Sequence, residues 1–251
     1  MDTASFYREN GYVLCEGIFD ADEVDELRGA LDRILARADG TGADRNHAWR
    51  AADAGTVLKG FHDLQYHDSS FMRAVANPRL VEALVAVIGP NVQLHHTKML
   101  VKPPEKGASF PMHQDYPYFP HTRHTVTAAS VHLDDATEEN GCLFVVPGSH
   151  RLGAIAETGE SNSLPDYPLE RGVPVPAAAG DVLLFNYLTI HGSGVNRSSR
   201  PRRNVLFQYR DPADEPLLGA DGREHHVNWG QGLMVAGENP VWFERRSLLV
   251  V

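Results

Sequence analysis

His113 and Asp115, separated by one position, offer an imidazole and a carboxylate that could bind a metal side by side. On a β-strand, the side chains at i and i+2 point to the same face, so a His-x-Asp pair presents both groups together. Two imidazoles and one carboxylate on one side of a ferrous ion leave positions open for a co-substrate and dioxygen. The pair therefore indicates two of three metal ligands, and the third has to come from a distant strand.

A second His-x-Asp pair, His132 and Asp134, shows that the pattern is weak by itself. It ends an apolar run and leads into an acidic segment before a glycine, where Asp and Asn commonly form turns. His113 and Asp115 instead lie beside an aromatic cluster at 116–119, which could shield an oxidising centre and shape a pocket. We therefore favour the first pair as metal ligands and interpret the second as structural.

His191 and Arg202 supply the remaining groups that the chemistry needs. His191 is expected at the end of a buried strand that begins near 181, and the glycines after it allow a close approach to the backbone. A hairpin to the apolar run that follows Arg202 would bring this arginine across the sheet from His191. A guanidinium group binds a carboxylate through two parallel hydrogen bonds. The candidate catalytic metal ligands are His113, Asp115 and His191, and the candidate carboxylate anchor is Arg202.

The segment after residue 90 predicts the β-strands that position these groups. Its short runs rich in Val, Leu, Phe and Thr are separated by Pro, Gly, Asn and Asp clusters. No helical period long enough for a parallel crossover intervenes, which favours an antiparallel sandwich or barrel. Strands are expected near 92–101, 110–115, 126–133, 142–146, 173–176, 181–187 and 203–210.

The segment before residue 90 predicts a helical layer. A capping box at 20–23 and apolar residues at helical spacing predict a helix over about 21–38. Asn77-Pro78 begins a second helix, and Gly89-Pro90 ends it. Polar or turn-rich segments predict loops, and long loops of this kind often cover binding sites. These loops are expected at 39–56, 102–109, 151–172 and 211–240.

The composition excludes several classes of protein. With 251 residues, 42% of them hydrophobic, the chain can bury a full core, and its length favours one domain. The formal net charge of -10 makes nucleic acid an unsuitable partner. The sequence has no basic leader followed by an apolar run and no stretch of 18 apolar residues, so we expect a cytoplasmic protein with no membrane partner. Its two cysteines are expected to be reduced core thiols.

Taken in order, these motifs resemble the phytanoyl-CoA dioxygenase family of iron(II)- and 2-oxoglutarate-dependent oxygenases. The similarity covers most of the chain, and the order of the motifs is what makes it specific. The motifs are Asn10–Leu14, Lys102–Pro104, His113–Asp115, Tyr118–Pro120, Asn140–Leu143, Pro147–His150, Gly180-Asp181, His191–Ser193 and Arg202.

The resemblance implies a mainly β fold with flanking α-helices. Its core is a double-stranded β-helix of the jelly-roll, cupin-like kind, with an N-terminal helical layer. We expect a single domain over 1–251. Its helical layer lies mostly in 1–90, its β-helix core in about 92–210, and its C-terminal lid or loop region in 211–251.

The resemblance also implies the cofactors and their contacts. Iron(II) would be held by the three candidate ligands, and 2-oxoglutarate and O2 would be co-substrates. Arg202 and Ser193 would bind 2-oxoglutarate, since Arg202 has the family's eleven-residue separation from the distal histidine, while Arg203 is the alternative. Lys98 and Lys59 occupy places comparable to those of a further polar contact to the co-substrate.

The implied activity is hydroxylation of an unactivated C–H bond of a small molecule, with release of succinate and CO2. The substrate would be a specialised metabolite, an amino acid or an acyl derivative. An intact Asp115 argues against halogenation, because halogenating oxygenases put a halide in place of this carboxylate. Two other classes stay open: a non-oxidative isomerase or hydrolase on the same barrel, which would not need Arg202, and a non-catalytic binding protein, which would be expected to lack a ligand.

Overall fold

The α-helices all precede the third strand of the chain in the part that the structure describes. A computed structural model describes residues 2–39, 59–104, 109–155, 163–217 and 232–241. Within these ranges the α-helices are α1 (Thr3–Asn10), α2 (Ala21–Asp39), α3 (Ser69–Val75) and α4 (Pro78–Ile88). The expected helices over 21–38 and from Asn77-Pro78 to Gly89 correspond to α2 and α4 and are confirmed. None of the described helices is long and apolar enough to span a bilayer.

The strands form two antiparallel sheets. The larger has the order β1-β8-β5-β10-β3-β11, with β2 also paired to β3, and the smaller has the order β4-β9-β6-β7. The mainly β, jelly-roll prediction is thereby confirmed. The strands are β1 (Tyr12–Cys15), β2 (Lys59–His62), β3 (Val92–Lys102), β4 (Phe110–His113), β5 (Thr127–His132), β6 (Leu143–Val145), β7 (Val173–Val175), β8 (Val182–Asn186), β9 (His191–Ser193), β10 (Arg202–Arg210) and β11 (Leu233–Ala236).

Strands β3 and β10 carry mainly apolar side chains on one face and mainly polar side chains on the other. Their alternate residues Met99, Val101, Val205 and Phe207 belong to the large core that also contains side chains from α1 to α4. The residues between them face the smaller sheet, because successive side chains of a strand point to opposite faces. The outer face of the larger sheet therefore carries the helices, and its inner face is free to carry chemistry.

Several elements were not predicted from the sequence. Helices α1 and α3 and strands β1 and β2 are short, and short elements carry little periodic signal. Strand β11 lies inside the expected C-terminal loop, so the prediction of an irregular segment over 211–240 is wrong at 233–236. It pairs with β3, and a long-range partner of this kind leaves no local mark in the sequence. The expected loop over 39–56 lies outside the described residues, apart from Asp39 at the end of α2.

The expected hairpin between the strand of His191 and that of Arg202 is also wrong. Strand β5 lies between β8 and β10 in the larger sheet, and His191 begins β9 in the smaller sheet. After β8 the chain crosses to the second sheet before it returns as β10. His191 and Arg202 consequently approach each other across the space between two sheets and not along one of them.

Candidate metal centre

Three buried side chains converge between the sheets: His113, Asp115 and His191. One ligand atom from each lies within 4.8 Å of the others. Asp115 Oδ1 is 3.6 Å from His113 Nε2 and 3.9 Å from His191 Nε2. The two imidazole centroids are 4.3 Å apart. In the described part of the chain this is the one such group of three potential ligands, and it matches the set expected from the sequence.

The two histidines are held in the form that a metal requires. His113 Nδ1 donates to the carbonyl of Pro111 at 2.8 Å, and His191 Nδ1 donates to that of Thr189 at 2.9 Å. With the proton on Nδ1, the lone pair of each ring is on Nε2, which faces the shared space. Burial, followed by the charge of His113, lowers the pKa of His191 to about 4. The His191 imidazole is therefore neutral at neutral pH, as a ligand must be.

The pairing of β4 with β9 brings the two imidazoles together. His113 and His191 are direct partners across this short ladder. Gly192 follows, and a Cβ there would lie 2.8 Å from Met112 Sδ and 2.9 Å from the carbonyl oxygen of Phe110. The two strands can approach this closely because Gly192 has no side chain.

Asp115 reaches the same place from a turn, since β4 ends at His113 instead of continuing to 115 as expected. The Asp115 N–H donates to the carbonyl of Tyr187 at 2.9 Å, which ties the turn to the end of β8. Gln114 points away and donates to the carbonyls of Gly153 and Leu188 at 2.9 and 2.7 Å. These anchors fix the direction of the carboxylate without a continuous strand.

The Asp115 carboxylate has one oxygen toward the histidines and one toward the opposite sheet. Its Oδ2 accepts a 2.8 Å hydrogen bond from Gln208 Nε2, and Gln208 is fully buried on β10. Burial acts to raise the pKa of Asp115, but the charge of Lys98 and the interactions with His113 and His191 outweigh it and hold the pKa well below its ordinary value. Asp115 is therefore anionic, with Oδ1 toward the two imidazoles.

Arg202 lies at one end of the inner face, and two of its nitrogen atoms have no hydrogen-bond partner among the described residues. It is 2% exposed, and its Nε and Nη1 make no hydrogen bond within the described part of the chain. His132 Nε2 and Asn204 Oδ1 are likewise buried without a hydrogen bond there. An unpaired buried guanidinium is costly, so this arrangement fits a polar ligand with an anionic group.

Lys102 shares this end of the site, and sequence reasoning did not assign it a role. It is the direct partner of Arg202 in the β3–β10 ladder, and its Nζ donates to Ser193 Oγ at 2.8 Å and to the carbonyl of Gly194. Burial, followed by the charge of Arg202, lowers the pKa of Lys102 to about 6. The signal in the sequence was its placement directly before Pro103-Pro104. Arg202, Lys102 and Ser193 together form the site's cationic end, here called the anchor end.

Arg203, Lys98 and Lys59 were the remaining candidates for contacts with the co-substrate. Arg203 points outward and binds Asp134 through its Nε and Nη2, both at 2.9 Å, so it does not reach the anchor end. Asp134 is thereby paired on the surface, as the structural interpretation of His132 and Asp134 expected. Lys98 is on the inner face but four residues along β3 from Lys102, which is about 13 Å at the rise of a strand. Lys59 begins β2 opposite Val101, and its side chain lies outside the described part.

His95 and His96 face the same region, although strand alternation predicts that at most one can do so. A register shift beside Gln208 marks a bulge at this point of β3. Both rings lie against Phe119, with centroid distances of 5.0 and 5.3 Å. A bulge sets two residues against one, which removes the alternation that the sequence implied.

The donor set suits iron(II). Two neutral imidazoles and one carboxylate on one side form the ligand set of non-haem ferrous oxygenases, which leaves positions open on the other side. A metal held here could bind a 2-oxo acid, whose far carboxylate would meet Arg202, Lys102 and Ser193. The unpaired nitrogens of Arg202 fit that carboxylate, since they lack another partner in the described structure.

The comparisons with known proteins agree with this description. The family model for phytanoyl-CoA dioxygenase matches residues 7–204. The chain is 30% identical, over 94% of its own length and 86% of the other, to the "Probable alpha-ketoglutarate-dependent hypophosphite dioxygenase" of Stutzerimonas stutzeri. Alpha-ketoglutarate is another name for 2-oxoglutarate.

Solved structures show the same fold. The non-heme monooxygenase ThoJ in its apo form superposes with a TM-score of 0.77 at 24% identity, covering 94% of this chain and 84% of the other. The epimerase SnoN, solved with Fe3+, alpha ketoglutarate and nogalamycin RO, superposes with a TM-score of 0.70 at 28% identity, covering 94% of this chain and 95% of the other.

Proposed function

Because the chain belongs to the phytanoyl-CoA dioxygenase family, we propose that it is an iron(II)- and 2-oxoglutarate-dependent dioxygenase that hydroxylates an unactivated C–H bond of a small molecule. The family supports the class of enzyme, and the similar epimerase holds both iron and alpha ketoglutarate. Its products would be the hydroxylated molecule, succinate and CO2.

The buried Arg202 carries the assignment of the co-substrate. A metal enzyme without a 2-oxo acid does not require a buried guanidinium on the inner face, two of whose nitrogen atoms have no hydrogen bond within the described residues. The non-oxidative isomerase or hydrolase therefore explains less of the site, and a non-catalytic binding protein would be expected to lack one of the three ligands, which are all present. Bound iron(II) would activate dioxygen at the expense of 2-oxoglutarate.

The residues of this chain would then perform separate tasks. His113, Asp115 and His191 would hold the metal, and Gln208 would keep Asp115 Oδ2 occupied so that Oδ1 faces the metal. Arg202 and Ser193 would orient the far carboxylate of 2-oxoglutarate, with Lys102 beside them. Burial of this end excludes water, which strengthens the charged hydrogen bonds.

The test is the visible absorption of the anaerobic protein with iron(II) and 2-oxoglutarate. We expect a weak charge-transfer band in the wild-type protein. His113→Ala and His191→Ala should each abolish both this band and iron retention, because a weakly held ferrous ion does not tolerate the loss of one of its three ligands. His67→Ala is the matched control, because His67 is an exposed histidine that follows the 3-10 turn Leu64–Tyr66, and this variant should keep both. A wild-type protein that binds iron without forming the band would contradict the proposal and favour the non-oxidative alternative.

A further inference from the structure

Lys98 lies on the inner face of the larger sheet, on the side of the metal ligands. Two residues of its own strand settle this direction: Lys102 reaches Ser193 of the smaller sheet, and His96 is the ladder partner of Gln208, which reaches Asp115. Lys98 is between them, an even number of residues from each, and so shares their face. The alternate residue Met99 belongs to the core on the helix side.

Lys98 has no hydrogen bond or ion pair within the described structure, and its side chain is partly exposed. Its direct partner on β2 is His62, and the His62 ring stacks on His96 with a centroid distance of 6.0 Å. His62 is exposed, whereas His96 is partly buried. These three residues form a cluster that runs from solvent toward the metal ligands, here called the basic cluster.

The electrostatic balance at the basic cluster is positive. Burial and then the charge of Lys98 lower the pKa of His62, and the opposing influence of Asp63 is smaller than that of Lys98. The pKa of His96 is also lowered, first by burial and then by His95 and Lys98. Both imidazoles are consequently neutral at neutral pH, and Lys98 supplies the charge.

Binding of iron(II) and 2-oxoglutarate would not neutralise the positive charge of Lys98. An iron(II) ion, the Asp115 carboxylate and the two carboxylates of 2-oxoglutarate together leave one negative charge, and Arg202, with Lys102 beside it, already offsets this charge at the anchor end. Lys98 is then a cation in excess, about 13 Å along the strand from the anchor end. A partly buried cation that makes no hydrogen bond or ion pair with the described residues is stabilised by an anionic ligand.

We propose that the basic cluster of Lys98, His62 and His96 is the subsite for an anionic group of the primary substrate, which makes this enzyme an oxygenase of small anionic molecules. The inference rests on the proposed function, since the substrate has to enter beside the metal. The anionic group would be a carboxylate or a phosphorus oxyanion, bound by the Lys98 ammonium and by the imidazole N–H groups.

The experiment uses the anaerobic protein saturated with iron(II) and 2-oxoglutarate, so the charge-transfer band tests the proposed function before the subsite is probed. Acetate and methylphosphonate are then titrated at constant ionic strength, and the perturbation of the band gives a dissociation constant for each. We expect saturable binding of at least one of them. Acetate alone would identify a carboxylate substrate, and methylphosphonate alone would identify a phosphorus oxyanion.

Lys98→Met should weaken anion binding at least ten-fold, because it removes a charge-assisted hydrogen bond while it keeps an unbranched side chain only one atom shorter. Lys98→Arg should retain most of the binding. Arg37→Met makes the same charge change on the exposed end of α2 and should bind anions like the wild type. The dissociation constant of 2-oxoglutarate should stay unchanged in all three variants.

Two results would overturn the subsite while leaving the proposed function intact. One is a normal charge-transfer band in the wild type that neither anion perturbs. The same conclusion would follow if the anions perturbed the bands of the wild type and of Lys98→Met equally. The other is a Lys98→Met protein whose affinity for 2-oxoglutarate falls at least ten-fold while its anion binding is unchanged, which would assign Lys98 to the co-substrate. Absence of the band in the wild type would instead contradict the proposed function.

Discussion

At the scale of single residues, the inner face places unpaired polar atoms where ligands are expected. Arg202, His132 and Asn204 each have a buried polar atom without a hydrogen bond in the described structure. Native proteins pair the large majority of such atoms, so a cluster of exceptions indicates a binding site. A buried residue can also orient a proposed metal ligand through a hydrogen bond, as Gln208 does for Asp115.

We predict that Gln208→Leu weakens metal binding by about ten- to a hundred-fold, because it frees Asp115 Oδ2 from its hydrogen bond and with it the direction of Oδ1. The affinity can be measured by equilibrium titration with iron(II) or a redox-inert divalent metal. Gln65→Leu is the matched control, since Gln65 is another buried amide that bonds to Thr97 on the helix side. If both variants lose stability but neither loses metal, Gln208 has no role in positioning the ligand.

The pKa of Lys102 gives a prediction for pH dependence. Burial and Arg202 hold this pKa at about 6, and a neighbouring carboxylate of 2-oxoglutarate would raise it. Binding then takes up a proton above pH 6, so the affinity for 2-oxoglutarate should fall as pH rises above 6, by up to about ten-fold per unit. Calorimetry in buffers of different ionisation enthalpy measures this uptake. Lys102→Met should abolish the uptake, and an unchanged uptake in this variant would contradict the assignment.

At the scale of elements, short strands set the positions of the ligands. Strand β9 has three residues, and its register with β4 makes His113 and His191 direct partners. Strand β10 is longer and carries Arg202 at one end and Gln208 near the other, so one element serves both the anchor end and the carboxylate ligand. The helices act indirectly, since they cover the opposite face of the sheet that carries β10.

Helix α4 allows this support to be tested at its N-terminus. Asn77 Oδ1 accepts from the N–H groups of Arg79 and Leu80 at 3.0 and 3.4 Å, and Asn77 Nδ2 donates to Glu23 of α2 at 2.9 Å. Asn77→Ala should lower the free energy of unfolding by about 1–2 kcal/mol, measured by urea denaturation. Asn77→Ser keeps a capping oxygen but loses the bond to Glu23, and should lose clearly less. Equal losses would show that the cap itself contributes nothing.

At the scale of the whole molecule, we propose that residues 1–251 form one domain. The N-terminal segment is part of the larger of the two sheets that enclose the site, because β1 pairs with β8. The carbonyl of Gly11 also accepts from Asn186 N and Thr189 Oγ1. Tyr7 on α1 also bonds to Thr127 of β5 through its hydroxyl at 2.7 Å. The helical layer and the β core therefore share contacts that a domain boundary would not cross.

A single domain predicts a single cooperative thermal transition. Far-UV circular dichroism, which follows the backbone, and near-UV circular dichroism, which follows buried tyrosines, should report the same midpoint. A redox-inert divalent metal with 2-oxoglutarate should move the whole transition upward, because both ligands bind only the folded state. Two separate transitions, of which only one moves with the ligands, would contradict the single domain.

The sequence by itself determined the chemistry and the class of fold. The site residues could be identified because residue types and their order are properties of the sequence, and here they resemble those of a family. These residues are His113, Asp115, His191 and Arg202. The helices α2 and α4 could be predicted because caps and apolar spacing are local. The same holds for most strands of the β core, whose alternating runs are bounded by turn residues.

Only the tertiary structure decided which groups meet across the sheets. It placed Arg202 inward and Arg203 on Asp134, because a one-residue change of register reverses the face of every side chain on a strand. It brought Lys102 to Ser193 and Gln208 to Asp115, pairs separated by 91 and 93 positions. Such contacts depend on strand pairing between distant segments, which neither local periodicity nor the spacing of a motif specifies.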